Sequence, residues 1–498
     1  MKNKFLLLYL LLTLLTLSSC RKTEYTHAMP ADAAAVISVD MKSIALKSGI
    51  NDRENAALKQ HLSDALKTGL NSETSDRLAK ILENPSKSGF DLTEPVYAYS
   101  AKEFDNETVI DLCVGDRGDL NSTVEDLSKS QLCSPPEETD HYKFTIVMGK
   151  AVLAYNRGTA LLIPTKGGMT DKIRTALDKV MQYKKEESFC ANKVFDTLKE
   201  RKGDVNFYIS LKEGMSSTLT SCINNTNATN STVGLAFIGD VTFNNGLISM
   251  KVEKYGTKTH TPDNSMKPIS NAVLSHFPQH LPLMFTLGID GTKAYKLLSS
   301  DSSLGIDALD IPLLQKLFDS IHGDLTIGYN SFGKSDPAFL AYAQITNTAA
   351  VKSIYGFIKS QKDSEWGTIR KISDNDFVYS FMKKNIYYGV IDNVMYITND
   401  ASLVHYKVVG GTYAQNAYAS QTKGKTMFFV FDTSEIMGQP AILKKMGPIV
   451  STALAHNVVC VRGYNVGIDA WTAEMVWKDR QTNALKQIVK IVRQIVGM

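Results

Sequence analysis

The feature that most limits what this chain can fold into is an order of segments that occurs twice. Residues 33–39 form a small apolar run ending at Asp40 and followed by a helical pattern over 41–49. Far downstream, residues 283–289 end at Asp290 and lead into a helical pattern over 292–298. Each reads as strand, aspartate, helix, with the carboxylate placed to accept the orphan N–H groups of the first helical turn. A helical pattern at 74–83 then precedes a strand at 95–100, and its counterpart at 313–321 precedes one at 325–329. Strands at 144–148, 151–155 and 160–164 match 377–381, 386–391 and 394–398, where Asp392-Asn393 suits a tight hairpin turn. Asn206-Phe207-Tyr208-Ile209 aligns with Met427-Phe428-Phe429-Val430. Finally 233–240 and 247–252, around Asn244-Asn245-Gly246, correspond to 458–466 and 470–477.

Adjacent strands joined by short turns give antiparallel sheets, and helices such as 54–66, 169–181 and 349–360 must bury one face against them. The expected fold is α+β: two tandem homologous halves, each a mainly antiparallel sheet packed with helices. The run from Tyr255 to Ser270 offers almost nothing to bury and reads as a linker. The expected organisation is therefore a signal peptide over 1–19, a lipidated tether over 20–27, a first half over 28–255, a linker over 256–270 and a second half over 271–498. The second half ends in an amphipathic helix. There Leu485, Ile488, Val489, Val492, Ile495 and Val496 make an apolar stripe opposite Lys486, Lys490 and Arg493, which reads as a core-facing helix with a solvated basic side.

The first twenty residues give an address. Lys2 and Lys4 precede an uncharged apolar run over 5–17, too short to span a bilayer, and the run ends in Leu17-Ser18-Ser19-Cys20. A branched residue, two small residues and a cysteine resemble the bacterial lipobox, so Cys20 is the expected lipidation site and the new N-terminus. Two or more acyl chains would hold the protein stably at a membrane. Lys22, in place of a retaining aspartate, favours the outer membrane. Cys113, Cys133, Cys190, Cys222 and Cys460 are an odd number without Cys-x-x-Cys or zinc-like spacing, and they read mainly as buried small hydrophobes.

Tyr25-Thr26-His27-Ala28-Met29-Pro30-Ala31-Asp32 and the segment from Asn84-Pro85 through Gly89-Phe90-Asp91 to Glu94-Pro95-Val96-Tyr97 resemble a family of Bacteroidetes lipoproteins of about this length, known only as a domain of unknown function. The resemblance implies an envelope location and brings no catalytic residues with it.

Chemistry is sparsely signalled. The chain lacks a Gly-x-x-x-x-Gly-Lys-Ser/Thr phosphate loop, a Gly-x-Gly-x-x-Gly fingerprint, a Gly-x-Ser-x-Gly elbow and a His-Glu-x-x-His helix. His276 and His280 have ligand spacing, but Pro278 between them breaks the helix that would align them. Asp374 and Asp376 read as turn residues ahead of a strand. Tyr97, Tyr99, Tyr387, Tyr388, Phe428, Phe429, Trp366, Trp471 and Trp477 offer sugar-stacking faces or core packing, and strand alternation favours packing. A net charge of +4 on 498 residues gives no reason to expect a nucleic-acid surface. No metal and no cofactor are expected. The reading that follows is a non-catalytic, lipid-anchored envelope protein binding a protein or glycan, with a hydrolase or carbohydrate-active enzyme as the alternative.

Overall fold

In the computed structural model, which describes residues 25–67, 70–211, 236–256, 265–300, 312–331, 338–360, 367–404, 411–437, 439–465 and 469–495, both aspartates do what their positions suggest. Asp40 caps helix Met41–Ser48 by accepting from the Ser43 N–H at 2.8 Å. Asp290 accepts from the Lys293 N–H at 3.3 Å at the start of helix Gly291–Ser300. The fold is α+β, and among the described residues every paired strand runs antiparallel to its neighbours.

The chain divides into two compact units. The first holds β1 (Ala35–Val39), β2 (Val96–Ser100), β3 (Thr108–Cys113), β4 (Glu137–Glu138), β5 (Lys143–Val147), β6 (Ala151–Tyr155), β7 (Thr159–Pro164), β8 (Val205–Ser210) and β9 (Ala236–Asn244). Their order across the sheet is β9-β8-β1-β2-β3-β7-β6-β5-β4. Helix Arg117–Lys129 is capped by Asp116 and buries Leu120 and Val124 in a cluster with Val114, Tyr155 and Ala160.

The second unit holds β10 (Leu247–Tyr255), β11 (Leu283–Asp290), β12 (Ile321–Ser331), β13 (Ala338–Ile345), β14 (Thr368–Lys371), β15 (Asp376–Phe381), β16 (Lys384–Ile391), β17 (Val394–Thr398), β18 (Met427–Asp432), β19 (Val458–Asn465) and β20 (Ala470–Trp477). They lie in the order β10-β20-β19-β18-β11-β12-β13-β17-β16-β15-β14. The β16–β17 turn has Asp392 and Asn393 at φ 48° and 62°, the left-handed pair a two-residue hairpin requires. Helix Thr348–Ser360 packs on β14 and β16, and Phe377 of β15 stacks on Tyr388 of β16 at 5.2 Å.

The units are not cut where composition suggested. Strand β10 lies with the second unit because it pairs along its length with β20. The expected linker is structured from Ser265 onward: Ile269 is buried in the second unit's core and its N–H donates to Lys425 O at 2.7 Å. The C-terminal helix Ala484–Ile495 lies with the first unit from Leu485 on. Its basic side is engaged rather than simply solvated, since Lys486 reaches Asp52 at 2.8 Å and Glu54 at 3.0 Å, and Arg493 reaches Asn55 at 3.3 Å. Ala484 and Gln487 are its most buried residues, while Val492 of the apolar stripe is exposed. The segment expected to be a tether up to residue 27 is packed from Tyr25, which begins the buried turn Tyr25–Ala28.

Candidate binding cleft

Cross-strand partners in an antiparallel sheet point to the same face, so the pairing register defines which side chains share a surface. In the first unit Asn206 pairs with Ser38, Ser38 with Tyr97 and Tyr97 with Asp111. These four make one polar row across β8, β1, β2 and β3. Their exposure falls along it, from 8% at Asn206 through 6% and 3% to 0% at Asp111. Asn206, Ser38 and Tyr97 line a cleft of about 560 Å³. The turn Tyr25–Ala28 packs against β3 and β7, with the Tyr25 ring 6.0 Å from that of Tyr97 and its hydroxyl donating to Pro95 O at 2.8 Å.

The opposite wall comes from helix Lys193–Glu200, which presents Phe195, Leu198 and Lys199, and from Cys190. Lys185, Lys199 and Lys202 stand exposed at the rim, with Asp196 among them. Arg201 is tied to Asp240 at 2.7 Å. Gly203 closes the floor, donating to Asn206 Oδ1 at 3.0 Å; a Cβ there would sit 2.6 Å from Asp240 Cβ, so only glycine fits this approach.

Two carboxylates beside the cleft are tuned in opposite directions. Burial pushes the Asp111 carboxyl well above its usual range, and neither of its oxygens has a hydrogen-bond partner. Burial also pushes Asp204 upward, but hydrogen bonds from Lys47, Ser43 and the Phe243 N–H outweigh it and hold the carboxyl below its usual value. Lys47 Nζ lies 2.7 Å from Asp204 Oδ1, and the Phe243 N–H donates to Oδ2 at 2.7 Å. Burial raises the Tyr25 and Tyr97 phenols and the Cys190 thiol, so all three are neutral. The cleft thus presents hydroxyl and ammonium groups together with the carboxylates of Asp40, Glu94 and Asp196, while the Asn206 amide is bonded to Gly203 through both its oxygen and its nitrogen.

The residues singled out from sequence are dispersed. Cys20, Cys222 and Trp366 lie outside the described residues. Cys113, Cys133, Cys190 and Cys460 are buried. His276 ends a short 3-10 turn against Tyr342, at 5.0 Å between rings, and burial lowers its pKa; His280 lies beyond, in no shared helix. Asp376 is buried and accepts from Tyr396 Oη at 2.7 Å, whereas Asp374 is a surface partner of Lys371. Among the described residues no cluster of three or more His, Cys, Asp or Glu is arranged to hold a metal. Of the aromatics, Tyr97, Tyr99, Tyr388, Phe428 and Trp477 are buried, and Lys254 covers Trp471 at 5.9 Å. Among the described ones, Tyr97 alone lines the cleft. The polar row escaped sequence reasoning because its members lie on four separated strands; the signal available was a polar residue inside each of four apolar runs.

A family pattern described as a domain of unknown function, DUF4836, matches residues 25–485. The chain belongs to the DUF4836 family. The match begins at Tyr25, so the cleft-lining turn is part of the DUF4836 domain. No curated protein matches this DUF4836 chain in sequence. Among solved structures, crystal forms I and III of TP0453 are similar at 10% and 13% identity. They cover 47% of this chain and 80% and 82% of their own, with TM-scores of 0.26 and 0.25, a likeness too slight to carry any argument.

Proposed function

We propose that this protein is a lipid-anchored envelope protein that binds a glycan of the cell envelope in the Tyr97–Ser38–Asn206 cleft, without chemical turnover. The observation that carries this reading is the position of that cleft in the chain: its lining begins at Tyr25, five residues after the lipobox cysteine Cys20. Five residues reach at most about 17 Å fully extended, so an acyl anchor at Cys20 would keep the cleft beside the bilayer surface. The Ser38 and Tyr97 hydroxyls, with lysines and carboxylates around them, suit a polar polymer lying there. The outer membrane is the proposed location, on the strength of Lys22.

The two units are further proposed to be tandem copies of one ancestral fold. In support, the order β9-β8-β1-β2-β3-β7-β6-β5-β4 corresponds strand for strand to β19-β18-β11-β12-β13-β17-β16-β15-β14.

Two measurements test the functional reading. Inhibiting the lipoprotein signal peptidase should accumulate a longer precursor, and Cys20→Ser should release the protein from membranes. Soluble protein should bind envelope oligosaccharides in calorimetry, with Lys202→Glu and Lys199→Glu each weakening binding by at least about tenfold. Turnover of glycosidic, ester or peptide substrates, or binding indifferent to both substitutions, would overturn it.

A further inference from the structure

A second surface feature lies in the other unit, far from the cleft in sequence. Helices Pro440–Met446 and Pro448–Asn457 pack against each other and are joined through Gly447 alone. Gly447 has φ 78°, and nothing lies within 4 Å of where its Cβ would be, so the junction projects into open space. Around it Met446, Ile449 and Val450 are 40%, 62% and 41% exposed. Isolated exposed apolar side chains are ordinary, but three within five positions at a projecting tip are not. Lys444 and Lys445 are exposed immediately before them, and from Ile436 to Ile468 the sequence contains no acidic residue.

We infer that this helical tip is a membrane-contacting element that inserts Met446, Ile449 and Val450 at the headgroup boundary of an anionic bilayer while Lys444 and Lys445 engage lipid phosphates. Apolar side chains beside ammonium groups are complementary to a surface that places acyl chains directly beneath negative charge. A second copy of this chain is a poorer occupant. Tip-to-tip association would bring two lysine pairs together with no acidic residue to offset them. The inference is independent of acylation at Cys20, which would add a first anchor from the other unit.

The test uses the mature chain carrying Cys20→Ser, so that no acyl chain contributes, in co-sedimentation with phosphatidylglycerol-containing vesicles and with vesicles of phosphatidylcholine alone. The protein should bind the anionic vesicles preferentially. The pair Ile449→Glu and Val450→Glu, and separately the pair Lys444→Glu and Lys445→Glu, should each reduce that binding by at least about fivefold. Leu46→Glu, at another exposed apolar position, should leave it unchanged. Absence of binding, equal binding by all variants, or a tip substitution that alters only a monomer–dimer balance without vesicles would overturn the inference. Since Lys444, Lys445, Ile449, Val450 and Leu46 have exposed side chains, an unchanged circular dichroism spectrum is expected for each of these variants.

Discussion

At the level of single residues, the first unit carries two buried carboxylates whose effects on stability run in opposite directions with pH. Asp111 has no hydrogen-bond partner and a raised pKa, so the folded state keeps it protonated after the unfolded chain has released the proton. Its contribution therefore worsens as pH rises above its ordinary value of 3.8. Asp111→Leu should remove that slope and stabilise the protein at neutral pH by about 1–3 kcal/mol, as chemical unfolding across a pH series would show. Asp204 is held below its usual range, so its stabilisation is present above that range and is lost as pH falls through its folded pKa. Asp204→Ala, which strands Lys47 beside a half-empty site, should cost about 2–3 kcal/mol at neutral pH and little in acid, measured by the same unfolding series. The sequence shows Asp111 only as an interruption in Thr-Val-Ile-Asp-Leu-Cys, and that is why strand β3 was not legible in it. Nothing local distinguishes a buried aspartate from a turn; the distinction is made by β2 and β7, which flank β3 on either side.

Among the elements, the strands and helices with clear periodicity were legible, and the losses have physical reasons. Strand β13, like β3, lies in the middle of its sheet, and its near-continuous apolar run Ala-Phe-Leu-Ala-Tyr-Ala-Gln-Ile lacks the alternation of a half-exposed strand. The helices at 440–457 were hidden because Pro440, Gly447 and Pro448 read as turn residues, although each proline occupies the first turn of a helix, where its missing N–H costs nothing. Turns behave more simply. Gly246 has φ 62° and its hypothetical Cβ would lie 2.6 Å from Arg480 Cα, so Gly246→Ala should lower stability by about 1–3 kcal/mol in thermal unfolding. The hairpin between β15 and β16 is the converse case. Met382 and Lys383 occupy left-handed positions at φ 48° and 64°, and Met382 is 79% exposed. Replacing the pair by Asn-Gly should raise stability by about 1 kcal/mol in the same measurement, because those residues adopt the required backbone with less strain.

For the molecule as a whole, the repeated segment order led to the expectation of two tandem halves; the chain does divide into two compact units, but not at the polar stretches. A polar stretch marks where a chain contains little to bury; it does not say which sheet the flanking strands join. The pairing of β10 with β20 and the docking of 485–495 on Asp52, Glu54 and Asn55 were set by contacts between residues more than 200 positions apart, beyond the reach of any local pattern. It follows that a protease site inserted within 257–264 and cleaved should leave the two pieces co-eluting in size exclusion until denaturant is added, because the downstream piece carries a helix of the upstream unit. The same crossing bears on how the protein is made. Ribosomal synthesis delivers helix Ala484–Ile495 after every strand of both units, so the N-terminal unit, although almost complete halfway through translation, lacks one of its helices until residues 485–495 are made. A stop codon ahead of residue 485 would therefore take a helix, with its contacts to Asp52, Glu54 and Asn55, from the part of the protein encoded first.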